Sequence, residues 1–160
     1  LNATVGIEEA QRAIKNALFL IGAGSNDFAI TYYDLGLRKL QFPDISGYQD
    51  FILARLLNFV KELYELGARK MTVLGLPPVG CLPIQKTLKL HGPYCIDYQN
   101  SESVAYNLKL ATALSSLQPS LPEATIAYAD IYDPIMDMIT RPQNYGFVET
   151  TSGCCGTGNV

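Results

Sequence analysis

The sequence has few of the features that indicate a nucleic-acid-binding or membrane-spanning protein. Its 12 lysines and arginines form no basic run, and the formal net charge is -3, so we expect no nucleic-acid partner. No apolar run approaches the roughly 18 residues that a transmembrane helix needs. The first ten residues contain neither the basic nor the apolar region of a signal peptide. These absences predict a soluble chain, or one cut from a longer protein.

Histidine and paired cysteine motifs are also scarce. The four cysteines form no C-x-x-C pair, which argues against a zinc site and a thioredoxin-like redox site. Cys81 and Cys95 are candidates for a disulfide closing a loop of about 15 residues, whereas the adjacent Cys154 and Cys155 are poorly suited to bridge each other. The one histidine, His91, lies in a turn-like segment, where a solvated side chain is more common than a general base.

Apolar residues make up 48% of the chain, enough for one sizeable core. No linker or repeat divides it, so we predict a single domain over residues 1–160. Three short apolar strands separated by long helices indicate parallel pairing with right-handed crossovers, and hence a three-layer α/β/α sandwich. Three strands are few for such a sheet, so we expect it to be incomplete. The predicted strands are 17–22, 70–78 and 124–130. The predicted helices are 46–66, 97–117, a short helix beginning near Asp133, and one whose end is 8–16.

Two helices and one strand carry finer predictions. Ser46 and Gln49 have the spacing of a capping box, and Gly67 is a suitable stop for that helix. The continuous apolar strand 17–22 is typical of a strand buried on both faces. The helix 97–117 is predicted to bury one apolar face, made of Val104, Leu108, Ala111 and Leu114.

The stretch Gly22-Ala-Gly-Ser-Asn-Asp27 ends the first predicted strand, where ligands bind in parallel α/β folds. It matches only part of the dinucleotide fingerprint, since a third glycine is missing. Ser25 is a poor candidate for a nucleophile because no G-x-S-x-G motif occurs. The segment is also compatible with an ordinary turn.

A third interpretation makes Asn26 an oxyanion-hole donor. A side-chain amide held at a strand end can aim its NH₂ at the oxygen that becomes negative during attack on an ester. Gly24 would let the backbone turn sharply, and Asp27 would hold the turn by accepting from nearby amides.

Three other groups of residues have competing structural explanations. The proline–glycine segment after the second strand is predicted to shape a tight loop rather than touch substrate. The tyrosine pair after the Asn26 block could line an acyl pocket, although core packing is the commoner role. The aspartate ending the third strand is predicted to serve a cap or turn. These residues are Pro77, Pro78 and Gly80; Tyr32 and Tyr33; and Asp130.

Four blocks in order then resemble a known family: LFLIGAGSNDF, ELGARKMTVLGLPPVGCLP, YNLKLATAL and the segment 126–158. Together they look like the plant branch of the GDSL esterase/lipase family, the SGNH hydrolases, over nearly the whole chain. The resemblance implies a flavodoxin-like sandwich and ester hydrolysis by a serine assisted by a histidine and an aspartate. It implies Asn26 as an oxyanion-hole donor, with Gly24 and Asp27 completing the block and Ser25 at its variable position.

The resemblance also implies what lies elsewhere. The Gly-Asp-Ser-Leu block that supplies the nucleophile belongs upstream of Leu1, and the Asp-x-x-His block belongs beyond Val160; neither motif occurs in the chain. Residues 1–160 therefore look like the central part of a hydrolase domain acting on small-molecule or lipid esters, with no cofactor and no metal. The family and the cysteines predict a secreted protein, in which Asn2-Ala-Thr4 would be an N-glycosylation acceptor.

Two alternatives to a working esterase stay open at this point. The chain could belong to a truncated, non-catalytic member acting as a binding or interaction module. A flavodoxin-like nucleotide binder is the weaker alternative.

Overall fold

The computed structural model describes residues 2–90, 92–151 and 153. Within these residues, three strands form one parallel sheet in the order β1-β2-β3. The register pairs Ile21 with Val73 and Val73 with Tyr128, so the carboxyl ends of all three strands meet at one edge. The parallel α/β class is confirmed. The strands are β1, Leu18–Ile21; β2, Lys70–Leu74; and β3, Thr125–Ala129.

The helices connect successive strands by crossovers. Because the strand order is sequential and such crossovers are right-handed, the two long helices lie on the same face of the sheet, where they contact each other. The α-helices are α1, Asn2–Val5; α2, Ile7–Asn16; α3, Ile45–Glu65; α4, Pro83–Leu88; α5, Asp97–Leu117; and α6, Tyr132–Thr140. A π-helix spans Asp27–Asp34, and short 3₁₀ helices span Val79–Cys81, Gln118–Ser120 and Pro142–Tyr145.

The two faces of the sheet differ in burial. Ile21, Met71 and Val73 point into the core with α3 and α5. Leu18 and Leu20 point the other way, as alternation along a strand requires, and are 67% and 66% exposed. The prediction that β1 is buried on both faces is therefore wrong for the residues described. Within them, the α/β/α sandwich is partial because nothing covers β1 on that face.

An aromatic cluster fills the core between the π-helix and the two long helices. The ring of Phe28 packs edge-on against Tyr106 with a centroid distance of 5.3 Å, and Tyr32 stacks on Tyr48 at 5.1 Å. Tyr32 and Tyr33 are both 5% exposed. Their predicted core role is thus confirmed.

The predicted face of α5 is wrong in most positions. Val104 and Leu108 are 48% and 71% exposed, and only Leu114 of the apolar set is fully buried. The helix instead buries polar side chains, because several of them bind backbone groups in distant loops. Its buried residues are Gln99, Asn100, Ser103, Tyr106, Asn107, Leu110, Leu114 and Leu117.

The predicted capping box at the start of α3 is also wrong. Asp44 is the N-cap residue, and no side-chain hydrogen bond caps the helix. Gln49 donates instead to the carbonyl oxygen of Glu102 at 3.1 Å, and Ser46 accepts from Lys109. Both side chains join α3 to α5, so tertiary partners replace the local cap.

The disulfide expected between Cys81 and Cys95 is present. His91, Cys154 and Cys155 lie outside the described residues. In the part of the chain that the structure describes, no helix is long and apolar enough to cross a membrane. The same residues contain no cluster of three or more histidine, cysteine or acidic side chains that could hold a metal ion.

Candidate functional site at the carboxyl edge of the sheet

The turn from β1 into the π-helix begins at Gly24. Its φ of 111° is unfavourable for residues with a side chain, and an added Cβ would lie 3.1 Å from Leu76 Cδ2. The N–H of Phe28 donates to the carbonyl oxygen of Gly24 at 3.0 Å and closes the turn. Glycine is therefore required here by both conformation and space.

Asn26 lies at the exposed start of the π-helix. It occupies the N-cap position with helical φ and ψ, and its side chain makes no capping hydrogen bond. Among the described residues no hydrogen bond involves its amide, which is exposed to solvent. An amide group in this position has both N–H donors available for a ligand.

Asp27 does not hold the turn in the way the sequence suggested. Within the described part of the chain, its carboxylate accepts no hydrogen bond from a backbone amide, since the turn is closed by the bond between Phe28 and Gly24. Asp27 is exposed and lines the adjoining cavity. Burial, with a smaller contribution from the charge of Asp27, raises the pKa of the Tyr106 hydroxyl far above its usual range.

A cavity of about 590 Å³ adjoins this turn and runs along β1. Its volume falls within the usual range for ligand sites. One side is formed by β1 and residues 22–24, and the other by α3, with Phe51, Arg55 and Phe59 among its lining residues. Because β1 pairs only with β2 among the described strands, this cavity follows an open strand edge.

The loop after β2 supplies the neighbouring wall of the site. At Gly80 an added Cβ would lie 2.1 Å from the carbonyl oxygen of Ile96, so the chain passes too close for any side chain. Pro78 precedes the 3₁₀ turn that contains this glycine. The predicted loop-shaping role of this segment is confirmed. A second cavity, of about 420 Å³, lies between Pro77, Pro78 and the apolar side of α6.

Asp130 has the predicted turn role. Its carboxylate accepts from the backbone N–H of Tyr132 at 2.8 Å and of Asp133 at 3.4 Å, next to the first turn of α6. These bonds engage one carboxylate oxygen.

The sequence did not indicate the buried polar side chains of α4 and α5 that bind the loop after β2 and the π-helix. Asn100 and Asn107 are buried and bind the loop after β2. Gln85 and Gln99 form a buried chain of hydrogen bonds that reaches the carbonyl oxygen of Ala29 in the π-helix. The sequence signal that could have indicated them is the recurrence of polar residues among apolar ones along one face of α5.

The geometry defines a parallel α/β protein with an exposed amide at a glycine turn on the carboxyl edge of its sheet. The family model described as GDSL-like Lipase/Acylhydrolase matches residues 4–160. The chain therefore belongs to the GDSL lipase/acylhydrolase family, and its relatives place it among the plant GDSL esterase/lipases.

Three relatives from Arabidopsis thaliana illustrate the similarity. The GDSL esterase/lipase At2g24560 is 53% identical over 100% of this chain and 45% of its own length. The GDSL esterase/lipases At2g30310 and At2g30220 are each 52% identical over 99% of this chain and 45% of their own length. The chain thus spans somewhat less than half the length of the curated relatives it matches.

Proposed function

We propose that the protein containing this chain is a serine hydrolase of carboxylic or lipid esters and that residues 1–160 are the central part of its catalytic domain. The observation that carries the proposal is the exposed amide of Asn26, at the carboxyl edge of a GDSL-family sheet, which makes no hydrogen bond to a described residue. In this role Asn26 donates to the oxyanion, while Gly24 allows the turn and Asp27 borders the cavity.

The open edge of β1 supports the central position of the chain in a larger sheet. Among the described strands β1 pairs only with β2, so its other edge can accept a further strand, because exposed strand edges are normally paired or covered. The exposed side chains of Leu18 and Leu20 likewise suit a covering layer. The nucleophilic serine and the Asp/His pair would then come from residues outside this chain.

Secretion is part of the same proposal. It is supported by the disulfide between Cys81 and Cys95, since such bonds persist in oxidising compartments. An extracellular location would also make Asn2 available to the glycosylation machinery.

The test uses the full-length plant protein, a fluorophosphonate probe and a series of p-nitrophenyl esters. We expect the probe to label a serine outside residues 1–160. Asn26→Ala should lower kcat by about 10²- to 10³-fold with little change in KM, because an oxyanion donor acts mainly in the transition state. Ser25→Ala is the matched control, being adjacent in the same turn, and should retain labelling and turnover.

Two results would contradict the proposal. Labelling lost in Ser25→Ala would make Ser25 the nucleophile instead. A full-length protein that neither labels nor hydrolyses any ester would favour the alternative, a non-catalytic member that acts as a binding or interaction module.

A further inference from the structure

The loop after β2 leaves the sheet at a buried position. The N–H of Gly75 still donates to Ala129 in β3 at 3.0 Å, which extends the ladder by one bond. At Leu76, which is fully buried, the backbone turns away from β3. Its N–H and carbonyl groups need partners there, because a buried backbone group without one is costly.

Asn107 of α5 supplies both partners. Its Oδ1 accepts from the N–H of Leu76 at 2.6 Å, and its Nδ2 donates to the carbonyl oxygen of Leu76 at 2.9 Å. The side-chain amide therefore pairs with Leu76 as a residue of an adjacent strand would. Gly75 leaves the necessary room, since an added Cβ there would lie 2.9 Å from Asn107 Oδ1.

Leu76 in turn contacts the block that carries Asn26. An added Cβ at Gly24 would lie 3.1 Å from Leu76 Cδ2, so the leucine side chain packs directly against the glycine turn. Asn107 thus holds Leu76, and Leu76 limits where the turn ending at Asn26 can lie. The neighbouring Tyr106 packs on Phe28 of the π-helix, so α5 also contacts the residue whose N–H closes that turn.

Asn100 provides an internal comparison. It lies seven residues before Asn107, on the same buried side of α5, and also binds the loop with both ends of its amide. Its Oδ1 accepts from the N–H of Gly80 at 2.9 Å, and its Nδ2 donates to Cys81 Sγ at 3.2 Å. The hydrogen bonds of Asn100 therefore fix the part of the loop around Gly80 and Cys81, away from the contact between Leu76 and Gly24.

We propose that Asn107 is a positioning residue for the oxyanion donor Asn26, acting through Leu76 and Gly24. Asn107 itself touches no reacting atom in this arrangement. The inference rests on the proposed function, because it assigns Asn107 a role only if Asn26 acts in the transition state.

The test is a double-mutant cycle in the full-length protein. Asn107→Leu keeps the branched shape and the number of heavy atoms of the side chain but removes both hydrogen bonds. We expect it to lower kcat by roughly 10- to 100-fold with little change in KM, since small displacements of a catalytic group have effects of this size. In the Asn26→Ala background, the same change should lower kcat very little, because the group that Asn107 positions is gone.

Asn100→Leu is the matched control. It also removes two hydrogen bonds from the same helix to the same loop, one of them to a weaker sulfur acceptor, and should also reduce the melting temperature. Because the Asn100 bonds go to Gly80 and Cys81 rather than to Leu76, kcat should stay close to the wild-type value. If Asn107→Leu does not fold, Leu76→Ala enters the same cycle, since it removes the contact with Gly24 while keeping both Asn107 hydrogen bonds.

The outcomes separate the two proposals. An equal loss of kcat with and without Asn26, or no loss at all, overturns the positioning role and leaves the oxyanion role intact. If Asn26→Ala itself has no effect on kcat, the oxyanion role fails and the positioning role fails with it.

Discussion

The turn after β1 and the loop after β2 lie side by side at the carboxyl edge of the sheet, yet they use their polar groups in opposite ways. In the loop, Asn100 and Asn107 satisfy buried backbone groups and the disulfide links Cys81 to Cys95. In the turn, the side chain of Asn26 is exposed and makes no hydrogen bond to a described residue.

This difference indicates a division of work between neighbouring segments. A donor that stabilises a transition state must be held in place before the reaction and must still have its N–H groups free. In the loop after β2, buried backbone groups are bonded by side chains of α5, which makes the loop rigid. In the turn after β1, the amide of Asn26 is available for a ligand under the proposed function. Contact between Leu76 and Gly24 joins the two.

The largest expected loss of stability comes from a substitution at Gly80, in the loop after β2. Gly80→Ala would place a Cβ 2.1 Å from the Ile96 carbonyl oxygen, and we expect a loss of about 3 kcal/mol or more in the free energy of unfolding. Gly47→Ala is the control, because its Cβ would lie 3.8 Å from the nearest atom, in Phe42, within a helix. Denaturant unfolding of the full-length variants measures both, and equal stability of the two would contradict this close approach.

An effect of comparable or slightly smaller size is expected from removing the disulfide between Cys81 and Cys95. Cys95→Ser should lower the free energy of unfolding by about 3 kcal/mol, because the disulfide restricts the conformational freedom of the unfolded chain by closing a loop of roughly 15 residues. Reductant added to the wild-type protein should reproduce the loss. Unchanged stability under both treatments would show that the hydrogen bonds of Asn100 and Asn107 are sufficient to hold the loop.

A substitution in the turn after β1 should affect activity more than stability. Gly24→Ala introduces a side chain at a φ of 111° and against Leu76, and we expect a loss of about 1 to 2 kcal/mol in stability. Turnover should fall as well, since the turn carries Asn26. Gly22→Ala, whose Cβ would meet only Leu74 Cδ1 at 3.4 Å, is the comparison, and identical kcat values for the two variants would contradict the importance of this turn.

The smallest effect concerns the π-helix that follows Asn26. The hydroxyl of Tyr33 donates to the carboxylate of Glu102, and burial raises the pKa of Glu102 above its usual value. The folded protein therefore keeps the proton of the Glu102 carboxyl to a higher pH than the unfolded chain does. The contribution of Glu102 to the free energy of unfolding consequently falls as the pH rises through the raised pKa.

Glu102→Gln stays neutral and keeps an acceptor for Tyr33. Its melting temperature relative to the wild type should therefore rise between about pH 4 and about pH 7, by a small amount because Glu102 is only half-buried and partly screened. Thermal unfolding of both proteins across this pH range checks the sign, and a relative stability that falls with pH would contradict it.

Local patterns predicted the elements themselves well. The helix 97–117 has the predicted bounds, and each strand lies within the predicted segment. Glycine and proline predicted where those segments end, because they change the allowed backbone dihedrals of a few neighbouring residues. The π-helix after Asn26 was not predicted, since its aromatic and β-branched residues have no clear helical periodicity.

Residues at the site were predictable only in part. The Asn26 block was identified from its motif, whereas Asn100 and Asn107 were not, because their partners are distant in sequence. Asn107 lies 31 residues from Leu76, and neither segment alone indicates that they meet. The same reason explains the error in the buried face of α5, where polar side chains were expected to face solvent.

Periodicity, turn residues and a family motif were thus sufficient for the parallel α/β class, the strand ends and the candidate role of Asn26. Which side of α5 is buried, which face of β1 is exposed and which amides are already bonded emerged only in the folded chain. The physical reason is that a polar group's availability depends on whether another segment reaches it. Such long-range pairings leave little trace in the residues immediately around either partner.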